Sequence, residues 1–337
     1  MENKKVTMGD IAKEIGVSVV TVSKALSGKD GVSDEVRAEI QQKAAQLGYH
    51  YSPSGKGEEE RGSGNIGVIV PDRFIAKDST FYNNLYHTVV IKAGEKGYSG
   101  MLEIVSGRDE EECNLPLIVK NNKVDGVIFL GQVNRKYVEA VATTGMPFLL
   151  LDFYDEMYPV DSIVSDGVYG TYVLTNYLIE KGHRRIAFVG SVNATSSILD
   201  RYLGYYKSLL KNGIKLDEDL IIPDRDENSK FIDIRLPRKM PDAFVCNCDE
   251  VAFMLVNKLK NEGYRVPEDV SVVGFDDFTF ATLCSPQLTT FRVDVASMAE
   301  SAVGLMMRKL HRKKYTKGNT VIAGSLIVRD SVADRNI

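Results

Sequence analysis

The sequence predicts two unlike parts. An N-terminal all-α module carries a helix-turn-helix, and an α/β part folds as two doubly wound parallel-sheet lobes. Three observations carry this reading. Residues 1–50 hold three short helical patterns and no strand pattern. Residues 52–64 are rich in Gly, Ser and Glu. From residue 66 onward, short apolar runs alternate with helical patterns.

The first helix opens at Thr7, whose hydroxyl has N-cap spacing to Asp10, a variant of the capping box. Ile11, Ala12 and Ile15 point inward, and Gly16 breaks the helix. Ser18 caps a second helix, Val19–Leu26. Ser33 caps a third, Asp34–Leu47, whose first-turn Asp34 and Glu35 suit the helix dipole, and Gly48 ends it. Helix, short Gly-containing turn, helix is the helix-turn-helix arrangement. The stretch Ser52–Gly64 that follows has four glycines, three serines and one proline, and reads as a flexible linker.

Beyond it, the runs Ile66–Val70, Val124–Leu130, Pro147–Leu151, Arg185–Gly190, Ala243–Cys246 and Val270–Phe275 are rich in Val, Ile and Phe. They show little polar alternation, as strands buried on both faces should. Between the last two, Val251, Leu255, Val256 and Leu259 repeat at helical spacing, and Gly263 and Pro267 stop that helix. Strand and helix alternating in this way give parallel sheets. Two sheets are expected, because one core stops growing at roughly 250–300 residues.

Composition excludes other classes. With 337 residues, 44% hydrophobic and 26% charged, the chain is an ordinary globular protein of more than one domain. No apolar run reaches the roughly eighteen residues needed to span a bilayer, and no signal-peptide h-region follows Met1, so a cytosolic location is expected. Cys113, Cys246, Cys248 and Cys284 are poor disulfide candidates there, and Cys246-Asn-Cys248 has the wrong spacing for zinc, so neither metal nor cofactor is expected. A net charge of −4 rules out a strongly basic nucleic-acid coat but leaves room for a small reading head.

In such a head, the N-terminal residues of the second helix meet base edges in the major groove. Ser18, Thr21 and Ser23 offer hydroxyls suited to phosphates. Val19 and Val20 have no hydrogen-bonding group, so they read thymine methyls or exclude bases by bulk. Lys24 reaches a guanine acceptor or a phosphate. Charge argues for caution: residues 1–57 hold eight Lys and Arg against seven Asp and Glu, which is weak for counterion release.

The segment Val6-Thr-Met-Gly-Asp-Ile-Ala-Lys-Glu-Ile-Gly-Val-Ser-Val-Val-Thr-Val-Ser-Lys-Ala-Leu-Ser27 resembles the helix-turn-helix of the LacI/GalR family of bacterial transcriptional regulators. The resemblance continues through Val32-Ser33, Val36-Arg37 and Leu47-Gly-Tyr49. It then runs in family order along nearly the whole chain: Ile66–Pro71, Glu180–Ala187, Arg201–Tyr205, Arg265–Val270, Val273–Asp277, Leu288–Thr290 and Arg329–Ser331. It implies a helix-turn-helix DNA-binding domain at 1–50, a hinge at 51–65 and an effector-binding and dimerisation domain at 66–337. The latter resembles periplasmic sugar-binding proteins, with lobe 1 at about 66–164 and 292–321 and lobe 2 at about 165–291 and 322–337.

By that resemblance Thr7, Ser18, Val19, Val20, Thr21, Ser23, Lys24, Ser33 and Tyr49 contact DNA. Effector ligands sit beyond the carboxyl ends of parallel strands. That points to Phe81, Tyr82, Asp152, Phe153, Arg201, Cys248, Asp249 and Asp276. Carboxylates with an arginine suit paired hydroxyls, and aromatic faces suit a pyranose, so a sugar is expected, with a purine or other metabolite as the alternative. Each residue also has a plainer reading, such as a helix cap for Asp276, a surface pair for Arg201, or packing for Phe81 and Tyr82. Cys248 stands where several sugar-sensing members carry a side-chain amide, which obscures the ligand. The segment Arg73–Thr80 is longer than usual for the family and is expected to extend one wall of the cleft. The expected partners are operator DNA, a small effector and a second copy of the chain. No leucine heptads follow Arg329-Asp-Ser331, so a dimer is expected rather than a tail-mediated tetramer.

Two rival classes fail. Gly62-Ser-Gly-Asn-Ile-Gly67 fits a dinucleotide fingerprint but precedes a strand instead of following one, and no catalytic constellation emerges, so no enzyme is expected. A transport binding protein would need export and lacks the first fifty residues. The hinge departs most from the family. Gly55, Gly57 and Glu58-Glu-Glu60 replace the apolar wedge that enters the minor groove, so little or no operator bending is expected; a circular-permutation mobility assay measures it.

Overall fold

The computed structural model describes residues 7–26, 29–47, 62–75, 80–155, 157, 160–227 and 229–336. The chain divides into two compact units, Met1–Arg61 and Gly62–Ile337. Gly48, Tyr49 and most of the expected hinge lie outside the described residues.

The first unit holds α1 (Met8–Ile15), α2 (Val19–Leu26) and α3 (Asp34–Gln46). The Asp10 amide donates to Thr7 Oγ1 at 3.3 Å, while the Asp10 carboxylate accepts from the Thr7 amide at 2.8 Å and its hydroxyl at 2.7 Å. Gly16 then ends α1 in the left-handed region, φ 76°. The Thr21 amide donates to Ser18 Oγ at 3.1 Å, and the Val36 amide to Ser33 Oγ at 3.4 Å. Ile11, Ala12, Val22, Ala25, Ile40 and Ala44 form the core.

In the second unit, β1 (Asn65–Pro71), β2 (Ser99–Val105), β3 (Gly126–Leu130), β4 (Phe148–Leu151) and β5 (Ser162–Ser165) join β11 (Asn319–Ile322) in one sheet. Its order is β11-β5-β4-β3-β1-β2, with every pair parallel. The second sheet has β6 (Ile186–Val189), β7 (Ile221–Ile222), β8 (Ala243–Cys246) and β9 (Ser271–Val273), order β7-β6-β8-β9, also parallel. A short antiparallel ribbon pairs β10 (Thr290–Arg292) with β12 (Ser325–Ile327). Of the helices, α4 (Thr80–Glu95), α5 (Gly107–Glu112), α6 (Leu117–Lys120) and α7 (Arg135–Ala142) belong to the first lobe. In the second, α8 (Gly167–Glu180), α9 (Ser196–Lys211), α10 (Asp249–Asn261) and α11 (Thr279–Leu283) accompany the strands. The chain then returns through α12 (Val295–Leu310) to β11.

The chain therefore crosses between the lobes three times: after β5, after β10 and after β11. Asp277 pins two of these crossings, its carboxylate accepting from Arg292 Nε at 2.7 Å and Arg329 Nη2 at 2.5 Å. The runs read from sequence place β1, β3, β4, β6, β8 and β9 within a residue or two of their bounds. β2, β5 and β11 of the first sheet go unread.

Gly204 explains one motif physically. A Cβ there would lie 2.2 Å from the Val168 carbonyl oxygen, so α8 and α9 approach too closely for any larger residue. Gly204→Ala should cost about 1–3 kcal/mol by overpacking, read as a lower unfolding midpoint in urea. Gly94, in α4 with open space around it, should tolerate alanine or gain about 0.5–1 kcal/mol.

Candidate functional site

In the N-terminal unit, α2 turns Val22 and Ala25 inward and leaves Val19 and Val20 50% and 65% exposed. Two exposed valines at the start of a helix are costly in water, and this is where a base-reading helix needs its contact residues. Lys24 is exposed one turn later, while Thr21 and Ser23 are half-buried. The hydroxyls of Thr7, Ser18 and Ser33 serve helix caps, and Ser18 Oγ and Thr21 Oγ1 lie 2.8 Å apart. Arg37, whose role the sequence did not disclose, donates from Nη1 to the Ala25 carbonyl at 2.9 Å and from Nη2 to that of Lys29 at 2.8 Å. It thereby ties α3 to the carboxyl end of α2 and fixes that helix without using its exposed face.

In the second unit, the carboxyl ends of both sheets face one cleft. Asp152 directly follows β4 with φ 68°, and Asp276 follows β9 with φ 112°. Both occupy backbone regions that non-glycine residues rarely visit, a strain that clusters at ligand sites. Tyr82, on α4, donates its hydroxyl to Asp152 Oδ2 at 2.9 Å. Arg201, on α9 and 5% exposed, donates from Nη1 to the Asn247 carbonyl at 2.6 Å and from Nη2 to Asp276 Oδ1 at 3.2 Å. Its guanidinium lies 4.1 Å from the Phe275 ring centre. Asp152 Oδ1 and Arg201 Nε are both buried without a hydrogen-bond partner. One acceptor and one donor are thus left open on opposite lobes, each at a desolvation cost of about 1–3 kcal/mol or more.

Electrostatics follow from that crowding. Burial pushes the Asp152 carboxyl up to about 6, against the pull of Arg201 and the Tyr82 hydrogen bond. Burial pushes Asp276 well above the usual carboxylate range, Arg201 opposing, with Asp249 and Asp152 adding repulsion. One guanidinium serves two carboxyl groups. A second ion pair beside it is self-contained: Arg225 donates to Asp224 Oδ2 at 2.8 Å, and Asn247 Nδ2 donates to the same oxygen at 2.8 Å. Burial raises Asp224, but Arg225, Asn247 and the Ser191 amide outweigh it and hold the carboxyl below its usual value.

The lobes meet directly. Phe81 of the first lobe packs edge-on against Phe278 of the second at 5.4 Å and against Tyr82 at 5.2 Å. The Ser196 amide donates to Gln132 Oε1 at 3.1 Å, and the Tyr154 hydroxyl donates to Asp200 Oδ1 at 2.9 Å. The cavity left beside these contacts, between Asp152, Ser165 and Ser196, is about 10 Å³, room for about one water.

Of the sequence-predicted cleft residues, Tyr82, Asp152, Arg201 and Asp276 come together, with Phe81 at the rim. Cys248 caps the start of α10, where burial and the nearby Asp276 push its thiol upward while Arg225 opposes. Two nominations correct differently. Phe153 is 1% exposed and belongs to the first lobe's core. Asp249 is the first residue of α10 rather than a strand end. Its carboxylate is taken by the Thr290 hydroxyl at 2.6 Å and the Phe278 amide at 3.0 Å, so it braces the wall behind Asp276. Burial raises it to about 7 against those two bonds. Gln132, Asp224 and Asn247 were missed, although each follows a strand by one or two residues, the position that identified Asp152. Part of the long segment Arg73–Thr80 lies outside the described residues. Within it, Arg73 bonds buried Glu110 and the Gln132 carbonyl, positioning the glutamine that reaches Ser196.

Among the described residues no helix is long and apolar enough to cross a membrane, and no cluster of metal-ligating side chains forms. A helix-turn-helix module joined to a two-lobed α/β domain with a polar cleft defines a ligand-responsive transcriptional regulator. Residues 7–52 match the family model for bacterial regulatory proteins of the lacI family, and residues 175–332 that for a periplasmic binding protein-like domain. The HTH-type transcriptional regulator RegA of Clostridium saccharobutylicum is 29% identical over 335 residues, 96% of this chain and 98% of that protein. A transcriptional regulator CelR–cellobiose complex superposes with a TM-score of 0.70 at 24% identity, covering 97% of this chain and 99% of that one. A lac repressor dimer bound to operator and the anti-inducer ONPF gives 0.70 at 24% identity, covering 98% and 100%. The chain thus carries a lacI-type DNA-binding segment followed by a periplasmic binding protein-like domain, and its full-length relatives are transcriptional regulators.

The Asp152 carboxyl holds its proton more tightly folded (about 6) than unfolded (3.8). Its contribution therefore favours the fold at low pH and is lost as pH rises from about 4 to about 6. Asp152→Asn should remove that loss. Its thermal midpoint relative to wild type should climb across this window and plateau above it, an advantage of about 2–3 kcal/mol. A flat difference would show that Asp152 is solvated.

Proposed function

We propose that this chain is a dimeric repressor of carbohydrate-utilisation genes. It reads a palindromic operator through α2 and takes a small, uncharged polyhydroxyl effector of the sugar class in the interlobe cleft. The observation that carries the effector reading is the pair of buried, unpartnered groups, Asp152 Oδ1 on one lobe and Arg201 Nε on the other. A hydroxyl that donates to Asp152 Oδ1 while accepting from Arg201 Nε completes both at once. Tyr82 and Asp276 supply further partners, and Phe81 and Phe278 give aromatic edges for an apolar ring face. The cellobiose in the CelR complex supports a sugar, and the operator-bound lac repressor dimer supports two heads meeting two half-sites. Effector and operator are then coupled, since a ligand that favours one lobe arrangement shifts the population that fits DNA.

A thermal-shift panel of mono- and disaccharides, with purines as comparison, tests this. A sugar hit should raise the melting temperature by mass action and change operator affinity in a gel shift. Arg201→Lys keeps the charge and loses the Nε donor, and should weaken that sugar at least about tenfold. Undiminished binding would remove Arg201 from the site, and hits confined to purines would replace the sugar reading.

The exposed Val19 and Val20 make a second prediction. Operator DNA with uracil in place of thymine lacks the methyl groups they would cover. It should bind about fourfold more weakly per contacted methyl, measured by gel shift. Equal affinity would leave the valines as steric filters only.

A further inference from the structure

At the opposite end of the second sheet from the effector cleft, beside the amino ends of β6 and β8, lies a pocket of about 240 Å³. Its floor is apolar, made by Ile186, Leu209, Ile214 and Leu220. An apolar cavity of about 150 Å³ holds benzene, so this one has room for a ring and a small polar group. The rim is charged: Arg184, Arg185 and Lys215 against Asp217 and Asp242. Both acids are already engaged. Asp242 Oδ2 accepts the Arg184 and Arg185 amides at 2.9 and 2.8 Å, and Asp217 Oδ2 accepts Arg185 Nη1 at 2.8 Å. Arg184 Nη1 donates to the Ile179 and His183 carbonyls at 2.7 and 2.9 Å. Arg185 lines the pocket with part of its guanidinium exposed, and Lys215 on the same rim is exposed.

We infer that this pocket is a second small-molecule site, for a monocarboxylate with a compact apolar body. The carboxylate would take Lys215 Nζ at the rim beside the Arg185 guanidinium, and the body would cover the aliphatic floor. The site bears on the cleft through one rigid element. α9 carries Ser196 and Arg201 at the cleft and Tyr205 and Leu209 at the pocket, a span of about 24 Å end to end. Tyr205 is fully buried and donates to the Ile186 carbonyl at 2.8 Å, so helix and strand move together.

Isothermal titration of the full-length chain with sodium benzoate, with benzyl alcohol as the neutral control, tests the site. Saturable binding of benzoate but not of the alcohol is expected, weakened about tenfold by Arg185→Gln and by Lys215→Gln. Lys215 is exposed, so its variant reads recognition without a folding penalty. Absence of saturable binding up to about 10 mM would overturn the inference, as would equal binding of the alcohol or binding that survives both substitutions.

Discussion

The second unit is organised around one buried cation. Arg201 is held by the Asn247 carbonyl, Asp276 and the face of Phe275, and its field extends across the cleft to Asp152. Removing a charge of this kind from water is costly, and it persists because carboxyl groups from both lobes converge on it. The arrangement is left incomplete: two acidic groups share one base, and a carboxylate oxygen on one lobe and a guanidinium nitrogen on the other are buried without partners. Such a site is stabilised by whatever completes it. That is the physical requirement for a sensor whose lobe arrangement depends on a ligand.

Around that centre the contacts sort by job. Phe81–Phe278, Gln132–Ser196 and Tyr154–Asp200 join lobe to lobe, where movement must break and remake them. Asp277 with Arg292 and Arg329 pins the crossovers, and the Gly204 approach locks α8 to α9. Weak, separable contacts at the mouth and tight ones at the crossovers are what a hinge requires.

Much of this was legible before any coordinates. Caps at Thr7, Ser18 and Ser33, and apolar runs such as Val124–Leu130, are local signals, since their partners lie within a turn or, as over Gly126–Leu130, their burial is complete. β2 was not legible because it is an edge strand with only Val105 fully buried. β11 was not, because its residues are largely exposed at the other edge. In the cleft, position after a strand found Asp152 and Asp276, and the same rule applied evenly would have added Gln132 and Asn247; Asp224 follows β7, a two-residue strand with no run to reveal it. What sequence does not hold is direction: nothing in Asp249 or Phe153 says that one turns back to Thr290 and the other into the core.

The N-terminal unit has a consequence of a different kind. Its core rests on Ile11, Val22 and Ile40, and Arg37 fastens α2 from behind, so Val19 and Val20 contribute little to holding the module together. Those two positions can be rewritten at small thermodynamic expense. The exposed face of α2 is thus free to vary in sequence without loss of the module's core, whereas the buried groups of the effector cleft are bound into the fold that surrounds them.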